Sequence, residues 1–332
     1  MVLAMLSGSS CTLIKKSRIG AVVAMSIPTD HHFLPKFLLD AWCGDDGKLV
    51  AYSKPHGNTV AAKRYAPKAV AKQQELYSLE LLPPADAQVI ESGFLQLVDD
   101  HAARAFQTVY AKGADTITPQ ERSDITLFLL SLRVRHPDAV NMLRVQGTAE
   151  LIAELDRDPG EAIEVGLPPG TKLSEYVAEK HPVVMRNWGL SLLPSIAHNQ
   201  KYLDRLARLQ WSDVRFPADY PDLIIGDRAC LLRGDLLSTC IMILPLGPRR
   251  AVFVASNRES IEKLRRQNQR QLVKRINRWS AESAIDYFYA ARDGHEPLAR
   301  ARLRERKERE EKPCVAATPT SFPVRKSSTS IG

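Results

Sequence analysis

Residues 239–256 read TCIMILPLGPRRAVFVAS, two apolar runs rich in β-branched residues on either side of a Pro-Leu-Gly-Pro segment. Runs of this composition, bounded by glycine and proline, favour β-strands that are joined by a tight turn. Similar runs occur nearby, DLIIGDR at 222–228 and AIDYFYA at 284–290. We therefore predict a β-rich region after Trp211.

The part of the chain before this region is dominated by helical patterns. In residues 86–111 the apolar side chains recur at helical spacing and fall on one stripe. The tetrapeptide TPQE at 118–121 is typical of a capping box, and we expect the helix that follows it to end near His136 and Pro137. Gly147 is expected to interrupt the next helix.

An alternating stretch around residues 49–53, flanked by turn residues, adds a small hairpin to this helical part. The predicted fold class is α+β: a helical N-terminal half with a small hairpin, packed on a β-rich C-terminal portion with one long basic helix.

The composition is that of a packed globular protein. Hydrophobic residues make up 44% of the 332 residues and charged residues 25%. We predict a poorly ordered leader at 1–28, a single domain at 29–291 and a charged, disordered tail at 292–332, where apolar residues are too few to offset the entropy of ordering. Met25 is a candidate for the true translation start.

Several classes of protein lack support in the sequence. The five cysteines form no CxxC pair, and no apolar run reaches the length of a membrane helix. The motifs of zincins, P-loop ATPases, α/β-hydrolases and Rossmann enzymes are also absent from the sequence. We expect a cytoplasmic protein without a membrane partner, whereas the sequence does not determine its oligomeric state.

The formal net charge of +8 is concentrated in one segment. Residues 258–280 contain eight Lys or Arg and two Glu, a local net charge of +6. At helical spacing one side of this segment forms what we call the basic stripe: Lys263, Arg266, Arg270, Lys274 and Arg278. The basic stripe is either an ordinary solvated face or a surface that contacts the phosphates of a nucleic acid or another polyanion.

Two adjacent histidines, His31 and His32, directly precede a short helix that is predicted to begin at Pro35. In one interpretation they bond backbone groups and fix the entry into this helix. In the other, the positive end of the helix keeps the His32 ring neutral, so that it can act as a general base or a metal ligand. His31 is the weaker candidate, because it points the other way if the segment is extended.

An acid and an arginine complete the candidate catalytic set. Asp227 closes the apolar run LII, where a carboxylate is either a strand-end residue facing water or one presented to a cavity. Arg135 either interacts with the C-terminus of its own helix or neutralises an anionic substrate. Asp99, Asp100 and His101 lie mostly off the apolar stripe of their helix, which favours a solvated position.

The order of these pieces resembles a bacterial family known as domain of unknown function 4238. HHFLPKFLL at 31–39 is similar to the family's opening motif, [QH]-H-x-[IVL]-P-x-[FY]-x-L. The further segments that carry the resemblance are KAVAKQQELYSLE at 68–80, RHP at 135–137, DLIIGDRACL at 222–231, ILPLGPRRAVFV at 243–254 and Asn277.

The chain departs from the family pattern at three positions. Gly226 and Ala229 replace a serine and a proline around Asp227, and Gly247 replaces the serine of the Pro-Leu hairpin. The resemblance implies membership of the family but no reaction.

Histidine, aspartate and arginine are the residue types that metal-assisted phosphodiester hydrolysis requires. Our first hypothesis is a phosphoester hydrolase or nuclease in which His32, Asp227, Arg135 and His31 act at the catalytic site. A divalent metal would be its cofactor, although the sequence does not identify one. The alternatives are a non-catalytic nucleic-acid or nucleotide binding module and a protein-interaction role.

Overall fold

The computed structural model describes residues 29–57, 59–168 and 170–304. Its strands are β1 Asp30–His32, β2 Leu49–His56, β3 Thr59–Tyr65, β4 Lys72–Gln74, β5 Gln210–Arg215, β6 Ile225–Gly226, β7 Leu231–Gly234, β8 Cys240–Gly247, β9 Arg250–Ala255 and β10 Phe288–Ala290. The predicted leader and the Met25 start lie outside the described residues.

The α-helices are α1 Lys36–Asp40, α2 Pro84–Ala87, α3 Gln96–Lys112, α4 Pro119–Val134, α5 Pro137–Leu155, α6 Pro159–Glu164, α7 Leu173–Lys180, α8 Pro182–Ser191, α9 Leu193–Ala197, α10 Gln200–Ala207, α11 Arg258–Arg266, α12 Gln269–Ser283 and α13 Glu296–Arg302. A π-helical turn, Glu91–Leu95, leads directly into α3. Helices and antiparallel sheets together confirm the α+β class.

Two antiparallel sheets of four strands organise the fold, in the orders β3-β2-β10-β6 and β5-β9-β8-β7, and β1 pairs separately with β4. The predicted hairpin is β2–β3. It is joined by β10, with Phe288 opposite Tyr52. The N-terminal hairpin therefore belongs to the same sheet as two of the C-terminal strands, β6 and β10.

The β5-β9-β8-β7 sheet is covered on both faces. Leu244 and Val252 belong to a core that also contains Phe106 of α3 and Phe128 of α4, whereas Phe253 belongs to the core that α11 and α12 share. A strand buried on both faces needs apolar residues at consecutive positions. This explains why residues 239–256 form continuous apolar runs.

The start of α4 is as the sequence predicts. The Thr118 hydroxyl accepts the Glu121 N–H at 3.2 Å, and the Glu121 carboxylate accepts the Thr118 N–H at 2.8 Å. Both halves of the capping box are therefore present, and α4 ends just before Arg135.

The prediction of one long basic helix is wrong. The segment forms two helices, α11 and α12, because Gln267 is extended and Asn268 begins a new helix. The Asn268 side chain accepts the Gln271 N–H at 3.2 Å. An asparagine that bonds the backbone in this way favours a helix start over a helix interior.

The predicted interruption at Gly147 is also wrong, since α5 continues through it. Gly147 lies where α5 crosses Gly189 of α8, and a Cβ on Gly147 would be 2.5 Å from the Gly189 Cα. The glycine therefore permits close helix packing and does not end the helix.

The prediction of a disordered tail from residue 292 does not hold for residues 292–304, which the structure describes. Helix α13 lies within this range. Ala299 and Leu303 belong to a small core that also contains Val50 and Tyr52 of β2. Spacing of four residues places Ala299 and Leu303 on one helix side, which gives this charged segment an apolar edge. The rest of the predicted tail, residues 305–332, lies outside the described residues.

None of the helices in the described ranges is both long and apolar enough to cross a membrane.

Candidate functional site

His31 and His32 lie on β1, opposite Gln73 and Lys72 of β4. His31 is fully buried, its Nδ1 accepts the Tyr77 N–H at 2.9 Å, and its ring stacks on that of Tyr77 with 5.5 Å between centroids. No side chain caps helix α1. His31 does bond a backbone group, as one interpretation expected, but this group belongs to Tyr77 and not to the start of α1. The prediction that the histidine fixes the entry into α1 is therefore wrong.

His32 is half-buried on the other side of the strand. Burial and the neighbouring Lys72 ammonium lower the pKa of His32, against the smaller effects of the Lys68 backbone and Asp30. Its Nε2 is buried and lacks a hydrogen-bond partner within the described part of the chain. The ring is thus neutral near pH 7, as expected, although the cause is burial and not the helix end.

Arg135 points into the protein and not towards solvent. It is fully buried, and its two terminal nitrogens each donate to Asp99 Oδ1 at 2.9 Å. Its carbonyl accepts the Tyr77 O–H at 2.5 Å, and its guanidinium lies 5.2 Å from the centre of the Phe128 ring. Arg135 therefore has an internal counter-ion, and the prediction of a solvated Asp99 is wrong.

A second carboxylate that the sequence analysis missed, Glu91, lies beside this ion pair. Burial, together with a smaller effect of the Asp99 charge, raises the pKa of Glu91 to about 7, although the Arg135 charge opposes both effects. Its Oε2 atom is buried and has no hydrogen-bond partner in the described ranges. Glu91 begins the π-helical turn, a feature that often accompanies functional positions. The sequence offered no signal for it, because π-turns have no distinctive pattern.

Asp227 is buried and binds backbone. Its carboxylate accepts the N–H groups of Ile285 at 2.7 Å, Asp286 at 2.6 Å and Tyr287 at 2.8 Å. Burial raises the pKa of Asp227 to about 6, against the effect of these hydrogen bonds. The carboxylate therefore faces backbone N–H groups. It does not face water, as one of the two alternatives required, and none of these contacts places it in a cavity, as the other required. It fixes the turn that precedes β10.

The imidazole beside Asp227 is that of His136, not of His32. The distance from His136 Nε2 to Asp227 Oδ2 is 4.0 Å. His136 caps α5, since its Nδ1 accepts the Asp138 N–H at 3.3 Å, and this bond places the ring proton on Nε2, facing the acid. Burial lowers the pKa of His136, so the ring is neutral at pH 7.

These contacts join distant parts of the sequence into one buried polar cluster. Hydrogen bonds join His31 to Tyr77, Tyr77 to Arg135 and Arg135 to Asp99, and His136 follows Arg135 in the chain. Asp227 lies 4.0 Å from His136, Phe33 packs edge-on against His136 at 5.0 Å, and the charges of Arg135 and Asp99 affect the pKa of Glu91. The buried polar cluster consists of His31, Tyr77, Glu91, Asp99, Arg135, His136 and Asp227. Of the predicted catalytic residues, His31, Arg135 and Asp227 thus meet in it, while none of these contacts includes His32.

The buried polar cluster does not have the form of a metal centre. Across the described ranges, no three His, Cys, Asp or Glu side chains are grouped so that they could hold a metal ion. The metal dependence that the first hypothesis requires therefore has no ligand set in this part of the chain.

Three members of the basic stripe form ion pairs at the surface. Lys263 lies 3.7 Å from Glu259 and Arg266 3.6 Å from Glu262, while Arg270 pairs with Asp219. The other two members, Lys274 and Arg278, are exposed and have no acidic partner among the described residues.

The fold and these contacts define an α+β protein in whose polar interior several of the singled-out motifs meet, together with Glu91 and Asp99. The model of the family described as Protein of unknown function (DUF4238) matches residues 30–294, and the chain belongs to this family. The resemblance predicted from the motifs is confirmed. No curated protein and no solved structure matched the chain.

Proposed function

We propose that the protein is a non-catalytic module that binds nucleic acid or a similar polyanion through the basic stripe. The observation that carries the proposal is the uneven charge of α11 and α12 and the residues between them. Residues 258–283 contain eight Lys or Arg and three Glu, a net charge of +5 on one surface of the protein.

The ion pairs of the basic stripe do not prevent such binding. The side chains of Lys263 and Arg266 are 77% and 82% exposed, and their acidic partners are on the same helix. Exposed pairs of this kind contribute about 0–1 kcal/mol, so a phosphate group can replace the carboxylate at low cost. Lys274 and Arg278 need no such exchange.

The opposite side of both helices supports the proposal by fixing the position of the charges. Ile261, Leu272 and Ile276 are buried in a core with Phe253 of the sheet. Trp279 packs under two further guanidiniums, Arg233 at 4.9 Å and Arg275 at 5.1 Å from the ring centre. Basic groups on a rigid platform lose less entropy on binding than groups on a mobile loop.

Phosphoester hydrolysis with His32 and Asp227 stays a prediction with less support. Asp227 has its hydrogen bonds with the backbone and His136 beside it, and Arg135 has Asp99 as counter-ion. A protein-interaction role and a cytoplasmic location also stay predictions.

The experiment measures the binding of a labelled single strand and of the matching duplex by fluorescence anisotropy, between about 50 and 200 mM salt. We expect affinity to fall steeply with salt. The double variant Lys274→Ala, Arg278→Ala should reduce the slope of log K against log salt by about 2, one for each lost phosphate contact.

The matched control is Lys63→Ala, Lys201→Ala, which removes two exposed charges from β3 and α10. Salt-insensitive binding, no binding, or an equal loss in the control would contradict the proposal. Cleavage of the strands that disappears in His32→Ala would instead favour the hydrolase.

A further inference from the structure

A cleft of about 1110 Å³ opens beside the β8–β9 turn, away from the buried polar cluster. Its walls also come from the loop after α1 and the segment after β10, and its volume is in the range of small-molecule sites or slightly above it. Five arginines line the cleft: Arg64, Arg215, Arg249, Arg250 and Arg292. So many guanidiniums around one opening suggest an anionic ligand.

Two of these arginines are neutralised by their own carboxylates. Arg64 donates to Asp46 at 2.7 Å, and Arg250 pairs with Asp213 at 2.6 Å. They therefore contribute little net charge to the cleft.

Two of the other three arginines, Arg249 and Arg292, share one carboxylate. Asp222, whose side chain is only 7% exposed, lies 2.6 Å from Arg249 and 3.3 Å from Arg292. Arg215 donates to the Tyr110 carbonyl at 2.9 Å and has no acidic partner within the described ranges. These three guanidiniums and Asp222 sum to +2. Asp45 and Asp293 also line the cleft, and Asp293 lies 4.0 Å from Arg64, so the lining together with Asp46 and Asp213 has no net charge.

The guanidiniums of Arg215 and Arg249 are held by backbone carbonyls. Arg249 donates to the carbonyl of Pro217 at 2.9 Å and to that of Tyr220. Arg215 lies opposite Arg250 in the β5–β9 ladder, and both donate to the Tyr110 carbonyl. Groups that are already ordered lose little entropy when a ligand binds.

The cleft also has an apolar part. Pro248 lines it beside the arginines, together with Phe216 and Leu246, which are mostly buried with 4% and 1% of their surface exposed. A ligand that fits both parts carries a doubly charged group on an apolar or aromatic body.

We propose that this cleft binds a phosphate monoester, with the dianionic phosphate between Arg215, Arg249 and Arg292 and the organic group against Phe216. A phosphate monoester has a charge of about −1.5 to −2 at pH 7, which matches the charge of the three arginines and Asp222. Arginine binds phosphate oxygens through two parallel N–H groups. The lining residues of the cleft include no member of the basic stripe, so this inference does not depend on the proposed function.

The test compares AMP with adenosine by isothermal titration calorimetry on the full chain. AMP should bind saturably and adenosine should not, and AMP affinity should decrease below about pH 6, where the phosphate loses a charge. Arg215→Ala and Arg292→Ala should each weaken AMP binding at least about tenfold. The control Arg186→Ala removes an exposed arginine from α8 and should leave AMP binding unchanged.

Asp222→Asn should strengthen AMP binding, because it removes the negative charge between two of the arginines. Thermal unfolding and circular dichroism on the same sample show whether this buried substitution preserves the fold. If Asp222→Asn does not fold, the exposed Arg292→Ala variant and the comparison of AMP with adenosine still test whether the cleft binds a phosphate monoester.

A phosphate monoester can belong to a free small molecule or to the end of a nucleic acid. A 5′-phosphorylated strand and its 5′-hydroxyl counterpart distinguish the two, measured in the Lys274→Ala, Arg278→Ala background so that the basic stripe contributes less. A preference for the 5′-phosphate that Arg215→Ala abolishes identifies strand ends as ligands, and AMP binding alone identifies a small molecule. The inference is overturned if AMP shows no saturable binding up to about 10 mM, or if the cleft variants bind AMP like the unmodified protein.

Discussion

Removal of the Asp99 carboxylate should destabilise the protein strongly, because it leaves a buried positive charge without a counter-ion. Arg135 is fully buried, and both of its terminal nitrogens donate to Asp99 at 2.9 Å. Breaking a buried pair by removing one partner costs about 3–5 kcal/mol. Because the Asp99 side chain is itself 22% exposed, water can reach part of the site, so we expect about 3 kcal/mol for Asp99→Ala.

The assay is urea unfolding at pH 7, followed by circular dichroism. Asp100→Ala is the matched control, since Asp100 is the next residue on α3 and is exposed. An exposed substitution should change the free energy of unfolding by no more than about 0.5 kcal/mol.

A second variant separates the unpaired charge from the loss of packing. In Asp99→Ala, Arg135→Met no charge remains, and the double variant should recover part of the stability that the single variant loses. The reasoning is refuted if Asp99→Ala unfolds at the same urea concentration as Asp100→Ala, or if the double variant is less stable than Asp99→Ala.

Three further predictions test the fold. Burial raises the pKa of Glu91 from its ordinary 4.5 to about 7, so the folded state is favoured below pH 4.5 and loses this stability as the pH rises through 7. Glu91→Gln should therefore be more stable than the unmodified protein at pH 8, by up to about 3 kcal/mol. Parallel urea titrations at pH 5 should show a smaller gain. A Cβ on Gly189 would lie 2.0 Å from the Leu143 carbonyl oxygen, so Gly189→Ala should lower the free energy of unfolding by about 1–3 kcal/mol, whereas Gly93→Ala, whose Cβ meets one methyl group at 3.4 Å, should not. Loss of the capping box in Thr118→Ala should cost about 0.5–2 kcal/mol in thermal unfolding, and Thr118→Ser should restore most of it.

Local signals in the sequence predicted much of the secondary structure. The TPQE capping box, the β2–β3 hairpin and the apolar runs of β8 and β9 each depend on residues close together in the chain. Such signals fail where a distant contact overrides them. Gly147 does not interrupt α5, because it faces another helix, and Asp99 is not solvated, because Arg135 approaches it from a different helix.

The same contrast between local sequence signals and contacts of distant segments applies to the candidate site. The motifs singled out His31, His32, Arg135 and Asp227, but the partners of these residues were not predictable from the sequence. Tyr77, Glu91 and His136 lie beside them only after the chain folds, and no local pattern distinguishes a buried glutamate from an exposed one.

By itself, the sequence determined the α+β class, the family and the concentration of positive charge in residues 258–280, because each of these depends on residue type and spacing along the chain. Only the tertiary structure decided which charges are neutralised. Asp99, His136 and Asp222 pair with groups from other segments, and pairing and burial fix whether an ionisable side chain can act on a ligand. Pairing and burial depend on the distances between segments that are far apart in the sequence, and neither composition nor periodicity gives these distances.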